Sequence, residues 1–311
     1  MRITHVRLLL ALAVVVVAAV GASPAPAGSH TAASFACAPK AFDGLAALAR
    51  SGTARGLDSS IRTEKDPARF TGGPDGQKTP GKPTAGTIPV YFHVVHEVDG
   101  TGFVSAEDVD EQIAVLNLTF SGFYGGADTG FRFTLAGLDY TANDAWYAQE
   151  TFADEVAMKT ALKQGGSADV NIYSTSGGGF LGWAYYPSIT ASQQFGVLDG
   201  VVVHYGSLPN GFITNFNLGY TATHEVGHYL GLAHTFEKGC LGHGDYVDDT
   251  PYMSVPTSGC PIGKDTCTRG TGVDPIHNFM DYSIDPCYTQ FTQGQTERMQ
   301  KQYAHWRLKR A

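Results

Sequence analysis

The feature that most constrains the fold of this chain is an eleven-residue string at positions 224–234, His-Glu-Val-Gly-His-Tyr-Leu-Gly-Leu-Ala-His. Residues four apart on a helix share one face, so His224 and His228 can offer two imidazoles to the same ion. Glycine adopts a positive φ without steric cost, so Gly231 can end the helix and turn the chain until His234 reaches that ion. The string therefore predicts a helix, a sharp turn and a three-histidine metal site.

The same string predicts hydrolytic chemistry. Three neutral imidazoles that leave one position open form the ligand set expected of catalytic zinc. Glu225 adjoins the first ligand, where its carboxylate can reach a water molecule at the open position. An amphipathic helix with incidental histidines is the alternative, but five specified positions are far more specific than a bare H-E-x-x-H. Peptidases with a downstream glutamate as third ligand are a second alternative, and here His234 already fills that place.

A second motif lies downstream, at residues 278–282, with the sequence Asn-Phe-Met-Asp-Tyr. Together with the zinc string it resembles the Met-turn of metzincin peptidases. Met280 would then form an apolar, polarisable floor beneath the histidines without binding the metal. A single methionine in a loop is otherwise more often core filler, so only the pairing of the two motifs supports this interpretation.

The chain contains five cysteines, and four of them lie close together near its end: Cys240, Cys260, Cys267 and Cys287. In an oxidising compartment this cluster predicts two disulfides, with three possible connectivities. A zinc site of four thiolates is the alternative, but the cluster lacks any C-x-x-C pair. The spacing alone leaves the connectivity open.

The first 27 residues have the organisation of a secretory signal peptide. Arg2 and Arg7 precede an unbroken apolar run at residues 8–20, and small residues follow it. Such a run spans only about 20 Å as a helix, whereas a bilayer core measures roughly 30 Å. We therefore expect a secreted protein without a membrane anchor.

Charge and composition distinguish the first 85 residues from the rest of the chain. Residues 1–85 carry 10 basic and 5 acidic side chains, whereas the rest of the 311-residue chain carries 11 basic and 24 acidic ones. Residues 28–85 are rich in Gly, Pro, Ala, Ser and Thr, with a hint of a short helix only at 42–50, which predicts a pro-segment or linker. The absence of a dense basic block argues against a nucleic-acid partner. Residues 86–311 are predicted to form the catalytic domain.

The hydrophobic pattern of this domain predicts strands and helices in alternation. Strands are predicted at 88–95, 131–140, 170–174 and 197–205, and helices at 154–163 and after the capping residue Ser105. A closing helix is predicted at 293–309, with Met299, Tyr303 and Trp306 as a core stripe and a basic tail that complements the helix C-terminus. The order predicts a mixed sheet with helices packed on it, an α+β architecture.

Further short motifs surround the zinc string: Gly239-Cys240, Gly244-Asp245, Asp249-Thr250-Pro251, Cys260, Cys267, Cys287 and Phe291-Thr292-x-Gly294-Gln295. With residues 88–95, 224–236 and 278–282 they resemble the pappalysin family of metzincin peptidases, in its small ulilysin-like branch. The resemblance covers about residues 86–305. It implies a zinc-dependent endopeptidase acting on proteins and peptides, with an upper subdomain of mixed twisted sheet and helices, a lower irregular disulfide-bonded subdomain, and a cleft between them.

The resemblance also implies the disulfide pairs Cys240–Cys267 and Cys260–Cys287, and calcium in the lower subdomain. Hard oxygen ligands suit calcium, and the oxygen-rich loop contains Asp245, Asp248, Asp249 and Thr250. The spacing is not that of an EF-hand. Capping and turn hydrogen bonds are therefore the alternative role for these residues.

In the expected mechanism, Glu225 takes a proton from the attacking water and gives one to the leaving amine. Tyr282 would add a hydrogen bond to the developing oxyanion, or else serve as a structural phenol. An edge strand near 181–185 would hold the substrate in extended form, with Trp183 there for packing rather than recognition. Asp285, or its neighbour Asp281, would favour a basic residue after the cut, unless it is a solvated loop carboxylate.

Cys37 is the odd cysteine and lies in the predicted pro-segment. Its thiolate could occupy the fourth zinc position and keep the precursor latent, which would make the pro-segment an intramolecular inhibitor. The alternative is a free or intermolecularly paired thiol.

A catalytically silent secreted binding protein on the same scaffold is the competing function, and the presence of Glu225 and all three histidines argues against it. The sequon at Asn117 lies on a predicted helix.

Overall fold

The computed structural model describes residues 82–308, apart from 192, 194, 242–243 and 269–271. The predicted signal peptide, the possible helix at 42–50 and Cys37 lie outside the described residues. Nearly all of the predicted pro-segment lies outside them too.

Five strands form one mixed sheet: β1 (Thr87–His96), β2 (Arg132–Ala142), β3 (Val170–Thr175), β4 (Gly182–Ala184) and β5 (Val201–His204). Their order across the sheet is β2-β1-β3-β5-β4. All neighbouring strands are parallel except β4, which runs antiparallel to β5 at the edge. The predicted mixed sheet of an α+β fold is thus confirmed. The strand expected at 197–205 is shorter, because residues 196–198 form a 3₁₀ turn before β5 begins.

Six α-helices accompany the sheet in the described part of the chain: α1 (Ala106–Phe120), α2 (Asp144–Ala148), α3 (Phe152–Leu162), α4 (Pro187–Thr190), α5 (Tyr220–Tyr229) and α6 (Gln293–Gln302). Helix α1 begins at Ser105 with a reciprocal capping box to Asp108, as the sequence predicts. Helix α3 begins with the same device, formed by Thr151 and Asp154. These caps satisfy backbone N–H groups that a helix start otherwise leaves without partners.

The main core lies between the sheet, α1 and α5. Val90, Ile172 and Val201 are fully buried on adjacent strands, and Leu116 of α1 and Val226 of α5 pack into the same cluster. Burying one such aliphatic side chain contributes about 1.5–3 kcal/mol. The helix that carries the first two histidines is therefore packed into the main core.

The chain becomes irregular after α5. Between residues 232 and 292, the described residues form only one 3₁₀ turn, Asp285–Cys287, and one isolated bridge between Asn278 and Gln290. Two disulfides close this region, Cys240–Cys267 and Cys260–Cys287, which is the pairing that the family resemblance implies.

The C-terminal end differs from the expectation of one helix whose basic tail only complements its own C-terminus. Helix α6 ends at Gln302 and continues as a π-helical turn, Tyr303–Arg307. Met299 and Tyr303 are buried as predicted, but Trp306 is only half-buried. The prediction for Arg307 is wrong, because this side chain is 2% exposed and forms an ion pair with Asp199 at 2.7 Å.

Two smaller observations complete the fold. Asn117 of the sequon donates both amide hydrogens, to the carbonyls of Ile113 and Phe133, and accepts the Phe133 N–H. Its amide is thus already engaged between α1 and β2. Within residues 82–308 and outside the gaps named above, no helix is both long and apolar enough to cross a bilayer.

Candidate metal centre

Helix α5 carries the first two histidines and ends in a tight, glycine-dependent turn. Gly231 has φ of 93°, a left-handed conformation that suits glycine. The Leu232 N–H donates to the Gly227 carbonyl at 2.9 Å, and the Gly231 N–H donates to the His228 carbonyl at 2.8 Å. This hydrogen-bond pair is the Schellman motif, which ends the helix and reverses the chain.

The turn brings three imidazoles together. One ring nitrogen of each of His224, His228 and His234 lies within 4.8 Å of the others, and all three side chains are buried. The Nε2 atoms of His228 and His234 are 3.0 Å apart. The Nε2 atom of His224 is buried and has no hydrogen-bond partner among the described residues. Such inward-facing nitrogens are satisfied together by one cation, so the residues present suit zinc.

Carbonyl groups orient two of the rings. The Nδ1 atom of His224 lies 2.6 Å from the Phe279 carbonyl, and that of His228 lies 2.7 Å from the Leu232 carbonyl. Since a carbonyl only accepts, each Nδ1 carries the proton and donates it, which leaves the lone pair on Nε2 for a metal. The tautomer follows from the hydrogen-bond network.

Burial keeps these rings neutral. It lowers the pKa of His228 to about 4, and it lowers the pKa values of His224 and His234 well below their usual 6.5. The neighbouring rings of the cluster lower the pKa values of His224 and His234 further. Neutral imidazole is the form that binds metals, so the site is in its ligating state at physiological pH.

The carboxylate of Glu225 lies in the same buried environment. Glu225 is 1% exposed, and neither carboxylate oxygen has a hydrogen-bond partner among the described residues. Burial raises its pKa well above the usual value. A Cβ atom placed on Gly182 would lie 3.0 Å from Cγ of Glu225 and 2.8 Å from the Val202 carbonyl. The glycine thus allows the edge strand β4 to approach Glu225 closely.

The Met-turn packs against the same helix. Met280 is fully buried, and a Cβ atom on Gly227 would lie 2.5 Å from its sulfur, so this glycine leaves room for the thioether. The Met280 N–H donates to Oδ1 of Asn278 at 2.9 Å, and the Met280 carbonyl accepts the Thr235 N–H at 3.2 Å. Met280 is thus hydrogen-bonded to Thr235, the residue that follows His234.

Aromatic rings surround the third histidine. Phe236 stacks on His234 with ring centres 4.7 Å apart, and the Tyr282 ring meets His234 edge-on at 4.9 Å. Tyr282 also lies 5.9 Å from the His224 ring. Tyr282 is therefore adjacent to two of the three histidines, whereas sequence reasoning did not anticipate the stacking role of Phe236.

Neither aspartate after the Met-turn is a solvated loop residue. Asp285 is 1% exposed, its Oδ2 accepts the Leu218 N–H at 2.8 Å, and burial raises its pKa to about 7. Asp281 is also buried and accepts the Thr257 N–H. Asp285 thus lies at the start of α5, where carboxylates interact favourably with the helix dipole.

The oxygen-rich loop is divided between buried and exposed residues. Asp245 and Thr250 are buried, and the Asp245 Oδ1 accepts the Val247 N–H. Asp248 is exposed. Asp249 accepts hydrogen bonds from the Thr292 hydroxyl and the Gly294 N–H, so it caps the start of α6. A second three-residue group, Cys260, His277 and Cys287, lies close together, but both cysteines are in a disulfide.

Helix α6 supplies contacts that sequence reasoning missed. Gln295 and Arg298 are buried although both are strongly polar, and both bind loops next to the histidines. The sequence signal that could have indicated this is the recurrence of Gln295, Arg298 and Gln302 at helical spacing, which places them on one side of the helix. Trp183, by contrast, packs as predicted and donates its indole N–H to Glu155 at 2.7 Å.

Comparison with known proteins agrees with this geometry. The model of peptidase family M43, described as Pregnancy-associated plasma protein-A, matches residues 169–304. An extracellular metalloprotease of Sordaria macrospora is 45% identical over 224 residues, which cover 71% of this chain and 75% of that protein. An extracellular metalloprotease of Neurospora crassa is 44% identical over the same coverage of both chains.

Solved structures agree as well. Mature mirolysin of Tannerella forsythia in complex with a cleaved peptide is 27% identical with a TM-score of 0.60, covering 72% of this chain and 97% of that one. A promirolysin mutant of the same organism is 25% identical with a TM-score of 0.66, covering 84% and 93%. From the three-histidine helix and turn, the matched family model and these relatives, the chain belongs to the pappalysin family of metzincins and is an extracellular zinc metalloendopeptidase.

Proposed function

We propose that His224, His228 and His234 hold the zinc ion and that Glu225 is the general base for hydrolysis of extended polypeptides. The observation that carries this proposal is the convergence of three buried Nε2 atoms beside a buried carboxylate without a hydrogen-bond partner. Burying a carboxylate without a hydrogen-bond partner costs folding free energy. Groups whose pKa is shifted in this way cluster at active sites.

Zinc, when bound, supplies an activated water molecule and polarises the scissile carbonyl. Glu225 accepts a proton from the attacking water and passes it to the leaving amine. The raised pKa of Glu225 suits this role, because a carboxylate that holds a proton more firmly can carry it between the two steps.

Tyr282 is proposed to stabilise the oxyanion through its hydroxyl group, and Met280 to form the floor of the site. Tyr282 lies against two of the three histidines, and Met280 packs against the helix turn between His224 and His228. Tyr282→Phe removes only the hydroxyl. We expect it to lower kcat about tenfold or more without changing zinc content, whereas unchanged kcat would assign the phenol a packing role.

Strand β4 is proposed to hold the substrate by strand addition. It lies at the edge of the sheet, and its Gly182 adjoins Glu225. A peptide that pairs with the outer edge of β4 would lie in extended form next to the carboxylate of Glu225. We expect N-methylation of single backbone amides in a peptide substrate to raise KM at alternate positions, and a uniform effect along the peptide would exclude strand pairing.

Asp285 is proposed to select a basic residue after the cut. Its buried carboxylate would be compensated by a cationic side chain entering from the substrate. A peptide library should show Arg or Lys enriched at that position for the natural sequence, and Asp285→Asn should reduce the enrichment. Cleavage with no basic preference would remove this proposal while leaving the peptidase activity unaffected.

Calcium is proposed to bind the loop that contains Asp245, Asp248 and Thr250. The support is that Oδ2 of Asp245 is buried without a hydrogen-bond partner among the described residues. Calcium at millimolar concentration should then raise the melting temperature of the secreted protein, and Asp245→Asn should abolish that rise. A melting temperature independent of calcium would contradict the proposal.

The basic N-terminal segment is proposed to keep the precursor latent, with Cys37 as the residue that occupies the zinc. The support is the net charge of +3 on residues 28–85, with 8 basic and 5 acidic side chains, against −13 on residues 86–311, and the similarity to promirolysin. Cys37→Ser should yield a precursor that cleaves peptides without processing. A silent Cys37→Ser precursor would exclude the cysteine but not the segment.

The experiment that tests the main proposal compares the natural protein with Glu225→Ala in a casein assay, with and without a chelator. We expect the chelator to abolish hydrolysis, zinc to restore it, and Glu225→Ala to be inactive while it still contains zinc. Hydrolysis that survives the chelator or the loss of Glu225 would favour another mechanism. Inactivity of the natural, processed protein would favour a silent binding protein.

A further inference from the structure

One face of helix α6 is polar and yet buried. Gln295, Arg298 and Gln302 are spaced three and four residues apart, so they lie on the same side of the helix. Their exposed fractions are 0%, 9% and 3%. Since buried polar groups must find hydrogen-bond partners, the partners of this face indicate what it does.

Gln295 binds the Met-turn. Its amide Nε2–H donates to Oδ1 of Asn278 at 3.0 Å, and the Asn278 amide donates back to Oε1 of Gln295 at 2.8 Å. Oδ1 of Asn278 also accepts the Met280 N–H. One residue of α6 therefore fixes the loop that lies beneath the histidines.

Arg298 binds the turn between the second and third histidines. Its Nε–H donates to the Gly231 carbonyl at 2.8 Å. Gln302 packs on the same glycine, because a Cβ atom on Gly231 would lie 2.7 Å from its Cγ. Gly231 is the left-handed residue that directs the chain from His228 to His234. A hydrogen bond to this carbonyl therefore acts on the relative position of the two ligands.

Arg307 binds the same helix end two residues earlier, at Tyr229. Its Nη2 donates to the Tyr229 carbonyl at 3.0 Å, and the guanidinium lies 3.5 Å from the Tyr229 ring centre. Nη1 donates to both carboxylate oxygens of Asp199. Two buried guanidiniums thus meet the C-terminal end of α5, where carbonyls lack helical partners and the helix dipole favours cations.

We propose that Arg298 is a positioning residue of the zinc site, an inference that rests on the three-histidine site proposed above. By donating to the Gly231 carbonyl, it fixes the turn that places His234 opposite His224 and His228, so that the three nitrogens are ordered before the metal arrives. It does not touch substrate or metal. Without this hydrogen bond, zinc binding has to order the turn, and the affinity falls by that cost.

The test uses two uncharged substitutions of matched chain length, of which only one keeps a hydrogen-bond donor. In Arg298→Gln, the amide nitrogen occupies the position of the arginine Nε and can still donate to the Gly231 carbonyl. In Arg298→Met, a methyl group occupies that position. Zinc affinity of the secreted protein is measured by competition with a chromogenic chelator, which is independent of activity. We expect Arg298→Met to weaken zinc binding by about 10-fold or more and Arg298→Gln by no more than about threefold.

Lys301→Met is the matched control, because it removes a positive charge from the exposed side of the same helix, where the lysine side chain is 42% exposed. It should leave zinc affinity unchanged. Equal losses in the glutamine and methionine variants of Arg298, or no loss in the methionine variant, would overturn the proposal. If the methionine variant is not secreted, Arg298→Lys decides. The lysine variant keeps the charge but places the donor one atom further out. Tight zinc binding by the lysine variant together with weak binding by the glutamine variant would therefore also overturn the proposal.

Discussion

The region before the Gly231 turn and the region after it are stabilised in different ways. Residues 87–229 form a sheet and helices around an aliphatic core. Residues 232–292 are irregular in the described part, and they are held by two disulfides and by buried carboxylates that accept backbone N–H groups, such as Asp274 with Thr266 and Asp281 with Thr257. The first region is stabilised mainly by apolar burial. The second region contributes apolar side chains such as Phe279 and Phe291 to the same core, and it adds covalent and polar links in place of regular secondary structure.

The proposed zinc site lies at the junction of these two regions. His224 and His228 belong to the helix that is packed in the core, whereas His234 belongs to the irregular region. A metal site at such a junction needs a rigid part for the first ligands and a firmly held turn for the last. The account therefore makes different predictions for changes in each region and at the junction.

The largest effect is expected at the junction, from Glu225→Gln. The substitution keeps the shape of the side chain but removes the proton acceptor, so kcat should fall by about 10²- to 10⁴-fold. Zinc content, measured by mass spectrometry of the metal, should stay at one per chain. Loss of zinc in this variant would show that the carboxylate is needed to build the site rather than for the chemistry.

In the first region, Ile172→Ala should be strongly destabilising. Ile172 is fully buried in the centre of β3, and truncation leaves a cavity, at a cost of roughly 2–5 kcal/mol in the free energy of unfolding. Urea titration gives the value. Val98→Ala is the control, since Val98 is 74% exposed and its truncation should change stability by no more than about 0.5 kcal/mol.

In the second region, removing one disulfide should have a comparable effect by a different route. Each bridge spans 27 residues, so the loop-entropy model gives a contribution of roughly 3.5 kcal/mol. For the double substitution of Cys240 and Cys267 by serine, we expect proteolysis to begin within residues 232–292 while the sheet stays protected. Simultaneous loss of both regions would contradict their separate stabilisation.

The pH dependence of the zinc-free protein should report on the buried histidines. The folded-state pKa of His228 is about 4 and the ordinary value is 6.5, so the unfolded chain binds protons that the folded chain does not. This contribution to stability is complete above pH 6.5, is lost as the pH falls towards 4, and amounts to about 3 kcal/mol.

Asp245 and Asp285 contribute with the opposite sign, because burial raises their pKa values to about 7. The informative quantity is therefore the difference between the natural protein and His228→Gln in urea titrations from pH 4 to 8. We expect the variant to lose less stability on acidification. Parallel curves would mean that His228 does not titrate as its burial indicates.

Much of the first region could be predicted from sequence because its signals are local. The capping box at Ser105, the β-branched and aromatic strand at 88–95 and the glycine that ends α5 each follow from residues close together in sequence. The zinc string is equally local, since its spacing is the spacing of a helix followed by a turn.

The remaining features depend on contacts between distant parts of the chain. Arg307 was expected only to complement the end of its own helix, because its partner Asp199 is 108 residues away. Arg298 meets the Gly231 carbonyl across 67 residues, and no pattern in a polar helix reveals a backbone acceptor at that distance. The sequence left Asp285 open between a substrate-pocket residue and a solvated loop carboxylate, and its contact with Leu218 at the start of α5 is visible only in the fold.

The most direct test of the account is diffraction from the secreted protein at wavelengths on either side of the zinc absorption edge. The account predicts one anomalous peak per chain, about 2.0–2.1 Å from Nε2 of His224, His228 and His234. A peak elsewhere, or one that lacks His234 among its ligands, would contradict it.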